Sequence, residues 1–281
     1  MKVIVTGARG MLAHALLPVL EKAGHESLGL ARGDADVSLP GALDHALELF
    51  KPDWIFHLAA WTKVDDCEGD PDRAHAVNGL GSRNVASAAA RCGVALLTMS
   101  TDYVFDGRAT QPYREYDVAS PQSVYGASKW AGEQAVRELL TRHIVARTSW
   151  VFGSGGHNFI DTVVKRAREG SGLRVVDDQR GSPTWTRDLA PMLVRLAERH
   201  QYGTYHVTNS GDCTWWELAD YAVRRAGIEV AIEKTNTAGL GRPAPRPAYS
   251  VLNNLMVERV TGQRLPHWRD AVDRYLESRN T

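Results

Sequence analysis

The N-terminal stretch constrains the fold of this chain more than any other. Lys2-Val3-Ile4-Val5-Thr6 is short, apolar and β-branched, the pattern of a parallel strand buried on both faces. Gly7-Ala8-Arg9-Gly10-Met11-Leu12-Ala13 follows without a linker and opens a helical pattern through Leu16, Leu17 and Leu20 that stops at Gly24. Strand, glycine turn and helix in this order form the phosphate turn of a dinucleotide-binding sheet. Gly7 permits the tight turn, Gly10 lets the backbone approach a pyrophosphate, and Ala13 keeps the helix close to the strand. Two glycines three apart are common, so the flanking strand and helix carry the assignment. The predicted fold is α/β, a Rossmann-type doubly wound parallel sheet.

The second strand, Glu26–Leu30, leads to Ala31 and Arg32. An acid at this strand end would accept from the ribose 2′-hydroxyl of NAD; an arginine pairs instead with a 2′-phosphate. Arg32 therefore favours NADPH, with NADH still admissible. Asp36 and Val37 are placed to meet the adenine end. Trp54–Leu58 is the third strand, and the small residues leaving it, Ala59 and Ala60 before Trp61 and Thr62, let a cofactor lie against backbone. Asp65, Asp66 and Glu68 read as a polar helix start and surface rather than a metal cluster, and 74–91 as one crossover helix.

The chemistry is expected further on. Ala95–Met99 is a strand pattern closed by Thr101, and Tyr125 falls in the first turn of a helix with Lys129 four residues later. Residues i and i+4 share a helix face, so phenol and ammonium point into one space. A phenol with a pKa of about 10 is a poor acid at neutral pH, and a nearby cation is expected to lower it into a usable range. Thr101 can hydrogen-bond a carbonyl oxygen on which charge changes. The Asp106–Pro121 connection is long enough to be functional. After the fifth strand, His143–Arg147, Trp150 is a candidate wall of a substrate cavity.

Beyond it, a helix is expected over 159–169. A strand at 174–176 and a helix over 186–199 read as a return to the sheet, and 205–207 as a further strand. A helix over 215–226, a lid-like loop at 235–249 rich in Gly, Ala and Pro, and two short helices over 252–260 and 267–278 complete the chain. This divides it into a dinucleotide-binding unit, 1–149 with 174–208, and a smaller, mostly C-terminal α/β substrate unit, 150–173 with 209–281.

With 281 residues and zero formal net charge, no nucleic-acid partner is expected. No apolar run approaches membrane-spanning length, and the first strand begins at Lys2. The cysteines Cys67, Cys92 and Cys213 lack metal-ligand spacing, so no metal site and a reducing, cytoplasmic setting are expected.

Strand, Thr, loop and Tyr-x-x-x-Lys helix downstream of a nucleotide turn resemble the extended short-chain dehydrogenase/reductase family. Within it, Ser-Thr-Asp-Tyr-Val-Phe-Asp-Gly at Ser100, Ser-Pro-x-x-x-Tyr-Gly-x-x-Lys at Ser120, Arg-Thr-Ser-Trp-Val-Phe at Arg147, Asp-Gln-x-Gly-x-Pro-Thr at Asp178 and Arg-Pro-x-x-Ser-x-Leu at Arg246 resemble the dTDP-4-dehydrorhamnose reductase family. The resemblance implies hydride transfer from a nicotinamide to C4 of a 4-keto-6-deoxyhexose on dTDP. It implies Tyr125 as proton donor and Lys129 as holder of the nicotinamide ribose. Thr101, Asp102 and Trp150 would lie at the sugar, and Gly10, Met11, Leu12, Asp36, Val37, Ala60, Trp61 and Thr62 along the cofactor. Ala31 departs from the acid common in the family, in keeping with the Arg32 reading. Magnesium dependence stays open, as does a homodimer. A dehydratase would carry Thr-Asp-Glu where this chain has Tyr103 after Asp102. A reductase of another 4-keto-deoxysugar and a non-catalytic regulatory subunit are the remaining alternatives.

Overall fold

In the structure, a computed structural model describing residues 1–279, β1 (Lys2–Thr6) lies between β2 (Glu26–Leu30) and β3 (Trp54–His57), all parallel. β4 (Ala95–Thr101), β5 (His143–Thr148) and a later strand extend them to a six-stranded parallel sheet in the order 10-5-4-3-1-2. The chain reverses direction across the sheet between β1 and β3, and open α/β sheets bind ligands at the carboxyl ends of the strands beside such a reversal.

Strand alternation sets the two cores. Val3 and Val5 face one side with Phe56, Leu97 and Ile144, under Leu16 and Leu20 of α1 (Met11–Lys22). Ile4, Ile55, Leu96 and Val145 face the other, under Leu47 of α2 (Asp44–Phe50). Each fully buried aliphatic side chain here contributes about 1.5–3 kcal/mol, which makes the strands a rigid base for the loops at their ends.

Between β3 and β4 run α3 (Val64–Gly69), α4 (Pro71–Ala74) and α5 (Gly81–Cys92). The expected single helix over 74–91 is instead widened at His75–Leu80 into a π-helical turn. α6 (Val124–Leu139) follows the long loop after β4, its N-terminus capped by the Ser123 hydroxyl, which accepts from Gly126 N at 3.1 Å.

Past β5 come β6 (Val151–Phe152), α7 (Phe159–Arg168), β7 (Leu173–Val176), β8 (Arg180–Gly181), β9 (Thr184–Trp185), α8 (Thr186–Glu198) and β10 (Gly203–His206). Then follow β11 (Cys213–Thr214), α9 (Trp215–Arg225), β12 (Ile232–Thr235), α10 (Thr237–Leu240), α11 (Leu255–Thr261) and α12 (Trp268–Glu277). The expected return to the sheet at Arg174 is not observed: β7 pairs with β12 in a separate two-stranded sheet. The return begins with α8, whose Leu189 and Leu193 cover the α1 face, and ends with β10 beside β5. An apolar β-branched run satisfies either sheet, so its pattern does not reveal its partner. α11 also departs from the expected division, because Val257 joins the core of the large sheet. The smaller unit is built on Phe152, Ile160, Trp185, Leu218, Trp268 and Tyr275.

Candidate active site

At the carboxyl ends of β1 and β3 a cleft of about 370 Å³ is lined by Gly7, Gly10, Arg32, Asp36, Val37, Ala60 and Trp61. Gly7 has φ +71°, and a Cβ there would lie 2.7 Å from Ala59 N, so the turn accepts only glycine and leaves its floor as bare backbone. α1 starts at Met11 and points its free N–H groups at this floor, which suits a pyrophosphate. Arg32 donates through Nε to Asp36 Oδ2 at 3.0 Å and keeps its guanidinium largely in solvent. Asp36 is held below the usual carboxylate range by Ser38, whose hydroxyl donates at 2.6 Å, with Arg32 assisting. Asn84 holds the Val37 carbonyl. Met11 lies at the helix start, against the Gly153–Asn158 loop, and Thr62 is exposed. Leu12 packs its side chain onto the core, so only its backbone faces the turn.

Sequence reasoning missed Arg9 and Arg73 in this lining. Arg9 sits inside the glycine turn, a visible signal; Arg73 stacks its guanidinium 4.4 Å over the Trp61 ring, which no local pattern announces.

Beside the cleft, β4 ends in Thr101, which donates through Oγ1 to Asp102 Oδ1 at 3.0 Å and accepts from Tyr103 N at 3.2 Å, with the Tyr125 phenol near enough for Thr101 to act on its pKa. Tyr125 is buried among Cys67, Ala74, Trp61 and Tyr103, whose ring meets it edge-on at 5.6 Å. Lys129 follows one turn along α6, also buried. Burial drives the Tyr125 phenol above its ordinary value, Asp102, Tyr103 and Cys67 add to the rise, and Thr101 opposes it. The expectation that Lys129 lowers this pKa is therefore not met. Burial lowers Lys129 to about 8 against the pull of Glu133. The Lys129 charge acts on His57, which burial first and Lys129 second hold neutral at about 3.

Asp102 is almost wholly buried and pushed up to about 6 by that burial, with Ser250 and Thr101 pulling it back. Its Oδ2 lacks a well-formed hydrogen bond, as do Ser100 Oγ, Thr148 Oγ1 and Arg246 Nη1. Buried polar atoms without partners cost about 1–3 kcal/mol each. Trp150 lies further out with φ +47°, a strained value for a non-glycine residue, stacked on Trp215 at 3.7 Å.

The segment expected as a lid-like loop, ordered or mobile, is the ordered one: it is tied to α3. Arg242 and Arg246 both donate to Asp65 Oδ2, at 2.9 and 3.0 Å, and Ala244 N donates to Oδ1. Asp65 is thus no mere surface acid, and Glu68 accepts from Val124 N at the start of α6 at 2.8 Å. Among the described residues no cluster of His, Cys, Asp and Glu has a metal-binding arrangement, and no helix is long and apolar enough to cross a membrane.

The chain matches the family described as RmlD substrate binding domain over residues 1–280. It is 42% identical to the spore coat polysaccharide biosynthesis protein SpsK of Bacillus subtilis, covering 100% of this chain and 98% of that one. It is also 42% identical to a dTDP-4-dehydrorhamnose reductase of Streptomyces griseus, covering 96% and 91%. The fold superposes on a dTDP-4-dehydrorhamnose reductase of Bacillus anthracis solved in complex with NADP, with a TM-score of 0.95 at 37% identity and 99% of both chains covered.

Proposed function

This chain belongs to the RmlD family of dTDP-4-dehydrorhamnose reductases and is an NAD(P)H-dependent oxidoreductase of that type; from this premise we propose that it reduces the C4 keto group of dTDP-4-dehydro-β-L-rhamnose to give dTDP-L-rhamnose. The observation that carries the reading is the placement of Thr101 at the carboxyl end of β4 and of buried Tyr125 and Lys129 one helical turn apart on α6, beside a glycine-floored cleft.

The cleft fits a dinucleotide on its own features: a turn that admits no Cβ, the start of α1, and the guanidiniums of Arg9, Arg32 and Arg73. We assign Gly7, Gly10, Met11 and Leu12 to the pyrophosphate by their backbone, Arg32 to a 2′-phosphate, Asp36 and Val37 to the adenosine end, and Ala60, Trp61 and Thr62 to the cleft edge. When bound, the reduced nicotinamide supplies hydride. Tyr125 then gives its proton to the C4 oxygen, and a phenol kept protonated by burial is in the form required of a donor. Thr101 holds that oxygen in line. Lys129, charged below about pH 8, is placed for the nicotinamide ribose. Asp102 and Trp150 border the sugar.

Nicotinamide absorbance in the presence of dTDP-4-dehydro-β-L-rhamnose, followed by NMR of the product at C4, tests this reading. Turnover to dTDP-L-rhamnose supports it. Turnover only with a different dTDP-4-keto-deoxysugar reassigns the substrate, and NADPH binding without turnover of either favours a regulatory role. We further read the protein as cytoplasmic, in keeping with its three unpaired cysteines, and as a homodimer, which sedimentation tests.

A further inference from the structure

The assignments above leave one guanidinium of the cofactor cleft without a specific contact, that of Arg73. Arg73 is exposed on α4, in a stretch that also carries Asp66, Asp70 and Asp72. Its side chain pairs with none of these acids among the described residues. Asp66 is engaged by Lys63 at 3.3 Å, and Asp70 accepts from the Arg73 backbone N–H at 3.1 Å rather than from the guanidinium. What holds the guanidinium is the face of the Trp61 ring, 4.4 Å away. Arg32, by contrast, commits a donor to Asp36 at 3.0 Å. A cation held by a ring keeps its full charge and its donors for an anion. The ring also fixes its direction, so less freedom is lost when the anion arrives.

The order of the sheet points to which anion this is. β2 and β3 flank β1 on opposite sides, so Arg32, past the end of β2, and Arg73, stacked on a residue past β3, border the cleft from its two sides. The glycine turn of β1 lies between them. α1 covers the sheet face of Val3 and Val5, whereas α5, to which α4 leads, covers the face of Ile4 through Val85 and Ala89. An anion over the Gly7–Gly10 floor is thus met by the α1 N–H groups from one face and by Arg73 from the other. A helix N-terminus offers about half a unit of positive charge, against about two negative charges on a pyrophosphate, so side-chain cations must supply the balance. Arg9, exposed in the turn itself, has no ring or carboxylate to orient it among the described residues.

We infer that Arg73 is a cofactor-binding residue that grips the pyrophosphate from the face opposite α1, with the Trp61 ring as its platform. The inference deepens the reading of the cleft as a nicotinamide dinucleotide site and rests on it. NADPH and NADH share the pyrophosphate, so Arg73 contributes equally to both and leaves the choice between them to Arg32.

The test is Arg73→Ala, with NADPH and NADH titrated by nicotinamide fluorescence and two fragments measured by displacement of bound NADPH. ADP carries the pyrophosphate without the 2′-phosphate; adenosine 2′-monophosphate carries the 2′-phosphate without the pyrophosphate; both carry adenine. We expect NADPH, NADH and ADP each to weaken about 5- to 20-fold, the worth of one charge-assisted contact at an exposed site. The ratio of NADPH to NADH affinity should stay within about twofold of wild type, and adenosine 2′-monophosphate should bind unchanged. Arg73→Gln keeps the side-chain length without the charge and should repeat the pattern if the alanine variant is unstable. Wild-type affinity for ADP and both cofactors overturns the inference. So does a loss confined to NADPH and adenosine 2′-monophosphate, which places Arg73 at the 2′-phosphate, or an equal loss for both fragments, which places it on the adenine. Failure of the wild-type protein to bind either cofactor would instead overturn the reading of the cleft itself.

Discussion

Arg246 and Asp65 stand 181 residues apart in sequence and 3.0 Å apart in space. The contact ties the segment after α10 to α3, the helix that follows Trp61 in the chain, and Arg246 Nη1 is buried without a hydrogen-bond partner.

Cutting that link is expected to loosen the segment. Asp65→Ala strands two guanidiniums and the Ala244 N–H, a loss of about 1–3 kcal/mol for partly buried charged contacts. Limited proteolysis should show cleavage within 236–249 that the wild type resists, and denaturant unfolding should show the lower stability. Burial opposes ionisation of Asp65, but Arg242, Arg246 and Ala244 N together hold its pKa below the usual carboxylate value. A depressed carboxylate stabilises above its unfolded pKa of about 4 and loses that contribution as pH falls through the folded value. The tie should therefore persist from neutral pH down to about 4 and fail only in stronger acid.

Glu133 is a stability hinge for the catalytic helix. It accepts from Arg147 through both carboxylate oxygens, at 2.9 and 2.8 Å, and from Arg137 at 2.8 Å, with Glu133 and Arg147 almost fully buried. Glu133→Ala leaves the Arg147 charge uncompensated and is expected to cost about 3–5 kcal/mol, read as a shift in the urea midpoint. A loss under about 1 kcal/mol would show that the pair contributes little beyond its own desolvation.

The pH profile follows from Lys129. Its pKa, lowered to about 8 by burial, places the ammonium form below that pH and the neutral amine above it. With Lys129 in its proposed role of holding the ribose in the charged form, kcat/KM should be flat near neutrality and fall as pH rises through about 8. A profile flat to about pH 10, the ordinary lysine range, would remove Lys129 from the rate-determining chemistry.

Cofactor preference is tested at Arg32. Arg32→Ala should weaken NADPH about 5- to 20-fold, the worth of one charge-assisted contact at an exposed site, and leave NADH nearly unchanged. Equal loss for both cofactors would contradict a 2′-phosphate role.

What was legible in the sequence was local. The β1 turn, the Thr101 strand end and the Tyr125–Lys129 helix each follow from a period or a spacing within a few residues, and the structure places them at one sheet edge. What was not legible depends on distant partners. Nothing near Asp65 names Arg246, and nothing near Val175 and Val176 says that they pair with β12 rather than the large sheet. The π turn around Asn78 is packed against Gly132 across the helix interface, a contact nothing near Asn78 in the sequence signals. The direction of the Tyr125 shift failed for the same reason, since burial outweighs a neighbouring cation and burial is a property of the whole fold.

The most direct test of the account is the Tyr125→Phe variant, measured beside wild type for NADPH binding and for single-turnover reduction of dTDP-4-dehydro-β-L-rhamnose. The account predicts NADPH affinity within about threefold of wild type and a reduction rate lower by about 10²–10⁴, the usual worth of a positioned proton donor. Reduction at the wild-type rate would show that the proton comes from another group.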